Sequence, residues 1–255
     1  KMTKKNWIFS ITIGIVFGVI GGLLGIPHLL QAKPVSAAST ADDVLNTTLN
    51  SSLKWNTVQG TAVIVWYGEN DEKQEYLNTF AIQQPNLANI SVKNADGSVA
   101  ASEWISDGSK AYNIDPQAKT YAGGTLPAFS KDFSLLPTTL EAAKNTDAIY
   151  RHPFGMLIPS PVGEYLYPQW LAQGKGITYN LVGEDTILNR KVWIITYIKY
   201  NAEVTAWIDE ETGIIVKYIQ SMDGRPFEEM TFTQLEVNSP VDRTLFILPS
   251  GVISQ

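Results

Sequence analysis

The hydrophobic pattern of the chain changes period twice, and each change marks a different kind of segment. Behind Lys1, Lys4 and Lys5, an unbroken apolar run covers residues 8 to about 30. Residues 40–54 then follow a helical period, with Val44, Leu45, Leu49 and Leu53 forming a narrow apolar stripe. Asp42 and Asp43 sit near the positive end of that helix dipole. From residue 58 the period becomes two. Strands are expected over 58–67, 74–83, 88–92, 101–106 and 110–114, each bounded by Gly, Asn, Asp or Pro, as in an antiparallel meander.

The same period returns near the C-terminus. A strand ends at Trp207-Ile208, residues 209–213 connect it to a strand over 214–220, and Met222-Asp223-Gly224 turns into a run over 227–237. In that run Met230, Phe232 and Gln234 alternate with Thr231, Thr233 and Leu235, which predicts one buried and one wetter face. Pro240 ends the ladder because it lacks a backbone N–H, and an apolar tail follows over 245–248.

Several strands are apolar on both sides. Ala62, Ile64 and Trp66 oppose Val63, Val65 and Tyr67, and Trp193, Ile195 and Tyr197 oppose Val192, Ile194 and Ile198. A half-exposed sheet should keep one face polar, so this one needs a cover or must curl around an apolar interior. The cover is expected in residues 120–174, which are rich in both proline and large apolar side chains. Two short helices fit there, over 138–150 and 162–173, the second with Leu166, Trp170 and Leu171 facing inward. The fold class is therefore mainly β (α+β): a curved antiparallel sheet forming a half-open barrel, covered by short lid helices.

A basic start, an apolar middle and the small-residue stretch Val35-Ser36-Ala37-Ala38 make residues 1–37 an export segment. Its length suits a cleaved signal peptide and also a membrane anchor, so both remain open. Either way, residues 38–255 form one extracytoplasmic domain, in the periplasm or at the outer face of the cytoplasmic membrane, secreted or anchored. Gly14, Gly18 and Gly22 recur at four-residue spacing, a pattern that small residues produce often by chance. The chain has no cysteine, which excludes lipobox acylation and disulfides. Residues 1–37 hold four lysines and no acid, so the remainder carries −10 where the whole chain carries −6. That charge argues against nucleic acid and anionic membrane surfaces as partners.

Catalytic chemistry is thinly represented. His152 is the one imidazole beyond the export segment, and a triad could draw only on Ser160 or Asp147 without any Gly-x-Ser-x-Gly elbow. A loop histidine beside proline is more often a hydrogen-bonded surface or lid residue. Asp209-Glu210-Glu211 lacks calcium-loop spacing and is expected to be a solvated turn. No catalytic residue, metal ligand or cofactor is assigned. The remaining signal is aromatic: six tryptophans beyond residue 37. An apolar cavity lined by Ile64, Trp66, Phe80, Ile82, Trp104, Trp170, Trp193 and Trp207 would hold acyl chains, each buried methylene contributing about 0.8 kcal/mol.

The C-terminal motifs add a resemblance. Trp207-Ile208-Asp209, Thr212-Gly213, Asn238, Pro240, Asp242, Phe246 and Pro249 resemble the end of the LolA-like superfamily, which includes lipoprotein carriers and RseB-type regulators of envelope signalling. The stretch from Val182 through Arg190 to Trp193 resembles that family's hairpin. The likeness is good over residues 178–250 and loose over 40–115. It implies a non-enzymatic carrier that binds lipid or an acylated lipoprotein. The alternative is a membrane-anchored interaction module contacting a membrane-embedded regulator, and a weaker third reading is a secreted hydrolase. A cargo-releasing basic residue in the lid would, by location, be Arg151.

Overall fold

The computed structural model describes residues 39–68, 72–96, 100–159 and 161–255. Residues 1–37, expected to be an export segment, with their glycine spacing, and Ser160 lie outside the described residues. Among the described residues, no helix is long and apolar enough to cross a membrane.

Twelve strands form one open, curved sheet. β1 (Thr57–Tyr67), β2 (Lys73–Gln83), β3 (Leu87–Asn94), β4 (Ala100–Asp107), β5 (Lys110–Asp115) and β6 (Thr120–Thr125) make the first meander. β7 (Asn180–Ile187), β8 (Arg190–Lys199), β9 (Ala202–Asp209), β10 (Ile215–Met222) and β11 (Arg225–Val237) make the second. The two meet where β1 pairs antiparallel with β11, and β12 (Ile253–Ser254) adds a parallel edge beside β6. The spatial order is β12-β6-β5-β4-β3-β2-β1-β11-β10-β9-β8-β7.

That order decides where the middle of the chain goes. β6 and β7 lie at opposite ends of the sheet, so residues 126–179 must travel from one edge to the other. They do so across one face and bury it. Phe154 meets Trp104 with ring centroids 6.2 Å apart, and Tyr165 meets Tyr218 at 5.3 Å. Regular structure in this cover is short: α2 (Leu140–Lys144), α3 (Val162–Leu166), and 3₁₀ turns at Ala128–Lys131, Gly155–Leu157 and Pro168–Ala172. The expected helix over 138–150 is one turn only, ending at Asn145. The expected helix over 162–173 changes at Pro168, whose missing N–H cannot continue the α ladder.

The first helix, α1 (Ala41–Leu49), begins with a reciprocal capping box between Thr40 and Asp43 and buries Val44, Leu45 and Leu49. Its stripe stops there. Leu53, the expected fourth member, lies in the 3₁₀ turn Ser51–Leu53 and is 82% exposed. The cover extends over a shorter stretch than expected, because residues 120–125 pair as β6. In β11, Leu235 rather than Gln234 continues the buried side of Met230 and Phe232. A bulge opposite Thr61 and Ala62 inserts one residue there, so Leu235 pairs with Gly60 and Phe232 with Ala62.

Candidate functional site

The register assigns each predicted lining residue to a face. Ile64, Phe80, Ile82, Trp104 and Trp193 all point toward the cover, following pairings from β4 to β1 and from β11 to β8. Phe80 packs on Phe232 at 5.3 Å. Trp66 shares this face but sits beyond the cover, 38% exposed, between Gln74 and Glu228. Trp170 belongs to the cover itself and meets Tyr218 edge-on at 6.4 Å. Trp207 is on the opposite face, between Ile194 and Lys217, whose ammonium lies 4.4 Å from its ring centroid. Beneath the cover the interior is filled with protein: Tyr167, Phe154, Leu166, Leu171 and α1's Leu45 are all fully buried.

Hollow space lies instead at the seam between cover and sheet. A cavity of about 190 Å³ is walled by Trp170 and Tyr165 from the cover and by Tyr197, Lys199, Tyr218 and Glu228 from the sheet. A second hollow, about 400 Å³, lies within the cover around His152, Met156 and Tyr167. The two share Arg151, Glu164 and Trp170 as a common wall. Arg151 there pairs with Glu164, and the Trp170 indole N–H donates to the Glu164 carbonyl at 2.9 Å. A broader depression of about 540 Å³, over Thr196, Ile198 and Thr205, is open to solvent.

The seam is polar in an apolar setting. The Tyr165 hydroxyl donates to the Glu228 carboxylate, and burial raises the Glu228 pKa above its ordinary value against the lowering effect of that hydrogen bond. Lys199 lies across the rings of Trp170 and Tyr200, 5.7 and 5.6 Å from their centroids. Burial, then the nearby Arg151, hold its ammonium pKa below the usual lysine value. On the cover's inner side, the Tyr167 hydroxyl and the Gln169 amide are buried without a hydrogen-bond partner in the described protein, as are the Trp55 indole N–H and the Tyr197 hydroxyl. Each such group costs about 1–3 kcal/mol while the cover is closed.

His152 is packed rather than poised for catalysis. Its ring stacks on Tyr167 at 4.0 Å and approaches Phe133 at 5.2 Å, while Nδ1 accepts from the Gly155 N–H at 3.1 Å. Burial pushes its pKa down to about 3, so it is neutral in the fold. Asp147, the other triad prospect, pairs with Lys175 at the surface. The turn after β9 is not simply solvated. Asp209 is buried and binds Arg190 through two contacts, while Thr212 donates to it through its backbone N–H and hydroxyl. Asn238, with φ 56°, accepts from the Asn56 N–H at 2.7 Å and fixes the entry to β1. The motif residues of the C-terminal resemblance thus hold turns and strand ends.

Tyr165, Tyr197, Lys199, Tyr218 and Glu228 did not emerge as a site from sequence. One signal pointed that way: Glu228 has the same parity as Met230 and Phe232, a carboxylate on the buried side of a strand.

No family model matches the chain, and no curated protein sequence does. Similar solved structures include an uncharacterized conserved protein from Thermus thermophilus, at 10% identity and a TM-score of 0.47, covering 85% of this chain and 99% of that one. The Pseudomonas aeruginosa MucA/MucB complex is similar at 17% identity and a TM-score of 0.45, over 81% of this chain. The match spans 60% of the length of that chain. The LolA superfamily protein NE2245 from Nitrosomonas europaea is similar at 7% identity and a TM-score of 0.37, covering 83% and 99%.

Proposed function

We propose that this chain is an exported, non-enzymatic binding protein for an apolar ligand, a lipid or the acyl chains of a lipoprotein, taken up between the sheet and its cover. The observation that carries the reading is the aromatic seam cavity around Trp170, Tyr197 and Tyr218, where the cover meets the sheet. Its walls come from two layers of the fold, so separating the layers enlarges it. Separation also hydrates the Tyr167 and Gln169 groups that closure leaves unpaired, which lowers the cost of opening. The cover is continuous with the sheet only at its two ends, as a lid requires. Ile64, Phe80, Ile82, Trp104 and Trp193 then become the floor for a chain entering at the seam, with Trp66 at the rim.

The test is native mass spectrometry of the full chain purified from membranes without delipidation. Co-purifying acyl masses that disappear in a folded Trp193→Asp variant support the reading. A clean apo mass with no uptake of a fluorescent fatty acid overturns it.

A second reading, an interaction module that contacts a membrane-embedded regulator, is favoured by the outer surface of the cover. Phe129, Phe133, Leu135 and Met156 are all exposed there. Replacing Phe133 and Leu135 with serine should weaken capture of such a partner and leave acyl binding intact.

A further inference from the structure

The seam cavity holds a cation that, among the described residues, has no counter-ion. Lys199 presents a partly desolvated ammonium, and among the described residues no carboxylate lies within ion-pair distance of it. Its contacts are the faces of Trp170 and Tyr200, which attract a cation but accept no conventional hydrogen bond. The Tyr197 hydroxyl, on a side chain 4% exposed, has no partner of hydrogen-bond geometry. After burial, the neighbouring Tyr218 raises its pKa, in part through a hydroxyl–hydroxyl interaction that falls outside hydrogen-bond geometry. The two nearby carboxylates are already engaged: Glu164 with Arg151, and Glu228 with the Tyr165 hydroxyl. Tyr218 donates to Gln220 at 3.3 Å. The wall does hold acceptors, the Glu164 and Glu228 carboxylates and the Gln220 amide, but each already has a partner. Among the described residues the Lys199 ammonium is therefore left without a counter-ion, and the apolar wall beside it is what an alkyl chain would follow.

We infer that the seam selects amphiphiles with an oxyanion head, a carboxylate or a phosphate, which Lys199 and the Tyr197 hydroxyl bind while the chain lies against Trp170 and Tyr218. This rests on the acyl-binding reading above and adds the head-group class to it. A charge-assisted contact to a partly desolvated ammonium is stronger than one between neutral groups. Arg151, at the wall shared with the inner hollow, is the second cation available to the head once its pair with Glu164 loosens. Lys217 lies on the opposite face over Trp207, outside this site.

The test uses the full chain in non-ionic amphipol and three dibrominated C18 probes: octadecanoate, octadecyl phosphate and octadecanol. Binding is read as bromine quenching of tryptophan fluorescence. Both oxyanions are expected to bind at least about tenfold tighter than the alcohol, a gap of about 1.4 kcal/mol. Lys199→Gln should reduce them to the alcohol's affinity and leave the alcohol unchanged. Lys199→Arg should keep the preference, and Tyr197→Phe should weaken it severalfold. Lys217→Gln should have no effect. A tighter carboxylate identifies a free fatty acid as the source, a tighter phosphate a phospholipid, and either supports the inference. Equal affinity for all three probes, or an unchanged preference in Lys199→Gln, overturns it while acyl binding stands. Failure of every probe to bind overturns both.

Discussion

Arg190 and Asp209 face each other across the paired ends of β8 and β9, joined by two hydrogen bonds, Nε to Oδ2 at 2.6 Å and Nη2 to Oδ1 at 3.0 Å. Oδ1 also accepts from the Thr212 N–H at 2.8 Å and the Thr212 hydroxyl at 2.7 Å. One buried carboxylate therefore organises the turn that leads into β10. Removing it leaves a largely buried guanidinium with, among the described residues, only the exposed Glu211 as an ion-pair partner. Asp209→Ala should cost about 3 kcal/mol of stability in urea unfolding, the low end for breaking a buried pair. A loss within about 0.5 kcal/mol, typical of a surface change, would refute this role.

Gly213 closes the same turn against α1. Its φ is 77°, and a Cβ there would lie 2.5 Å from the Thr47 carbonyl oxygen. Gly224, in the next hairpin, has nearly the same φ of 74° but open space around its Cα. Gly224→Ala should thus show only the left-handed backbone penalty, about 1 kcal/mol. Gly213→Ala should cost roughly 1–3 kcal/mol more, because α1 must shift. Equal losses in the two variants, measured by chemical unfolding, would mean that the turn does not brace the helix.

Much of this was readable in advance, and the failures have physical causes. Short runs rich in Val, Ile, Thr and aromatic residues between Gly, Asn, Asp or Pro located β1 to β5 and β8 to β11, although β1 and β8 are apolar on both faces. β6 was missed because Gly123 and Gly124 remove the β-branched signal, although a Cβ at Gly123 would come within 2.5 Å of the Ala111 carbonyl oxygen. Parity within a strand was visible, but parity between strands depends on register. Trp193 pairs with Ile208, so Trp207 is placed on the far side of the sheet from it. The seam was illegible for a related reason: Tyr165 and Glu228 are 63 residues apart, and only the crossing cover brings them together. The motifs behind the family resemblance located turns accurately and said nothing of this cavity.

Glu228 should make the closed state sensitive to pH. Burial raises its folded pKa above the ordinary 4.5, so the folded state binds a proton more readily than the unfolded chain. Stability from this group is therefore greatest at and below pH 4.5 and declines as pH rises toward its folded pKa. Glu228→Gln cannot titrate. The wild type should lose stability relative to that variant across this window and run parallel to it above. A difference that stays flat, or grows in the wild type's favour with rising pH, would rule out a buried, proton-seeking carboxylate. Tyr165→Phe should raise the Glu228 pKa further, because the hydroxyl that stabilises the anion is gone.

His152 works in the opposite sense. Its folded pKa is pushed down to about 3 by burial, against an ordinary 6.5. Between those values the unfolded chain takes up a proton that the folded chain refuses, so stability falls as pH drops from 6.5 toward 3. The slope is about 1.4 kcal/mol per pH unit. His152→Asn retains an acceptor for the Gly155 N–H but loses the stack on Tyr167, so at about pH 7 it should be the less stable protein. At about pH 4 the wild type alone bears the protonation penalty, and the gap should narrow by roughly 3 kcal/mol, enough to reverse its sign. A gap that is constant between those two pH values would require His152 to titrate normally in the fold. Because His152 packs inside the cover, its protonation and that of Glu228 act on opposite sides of the seam: acid loosens the cover from within while removing the charge it closes over.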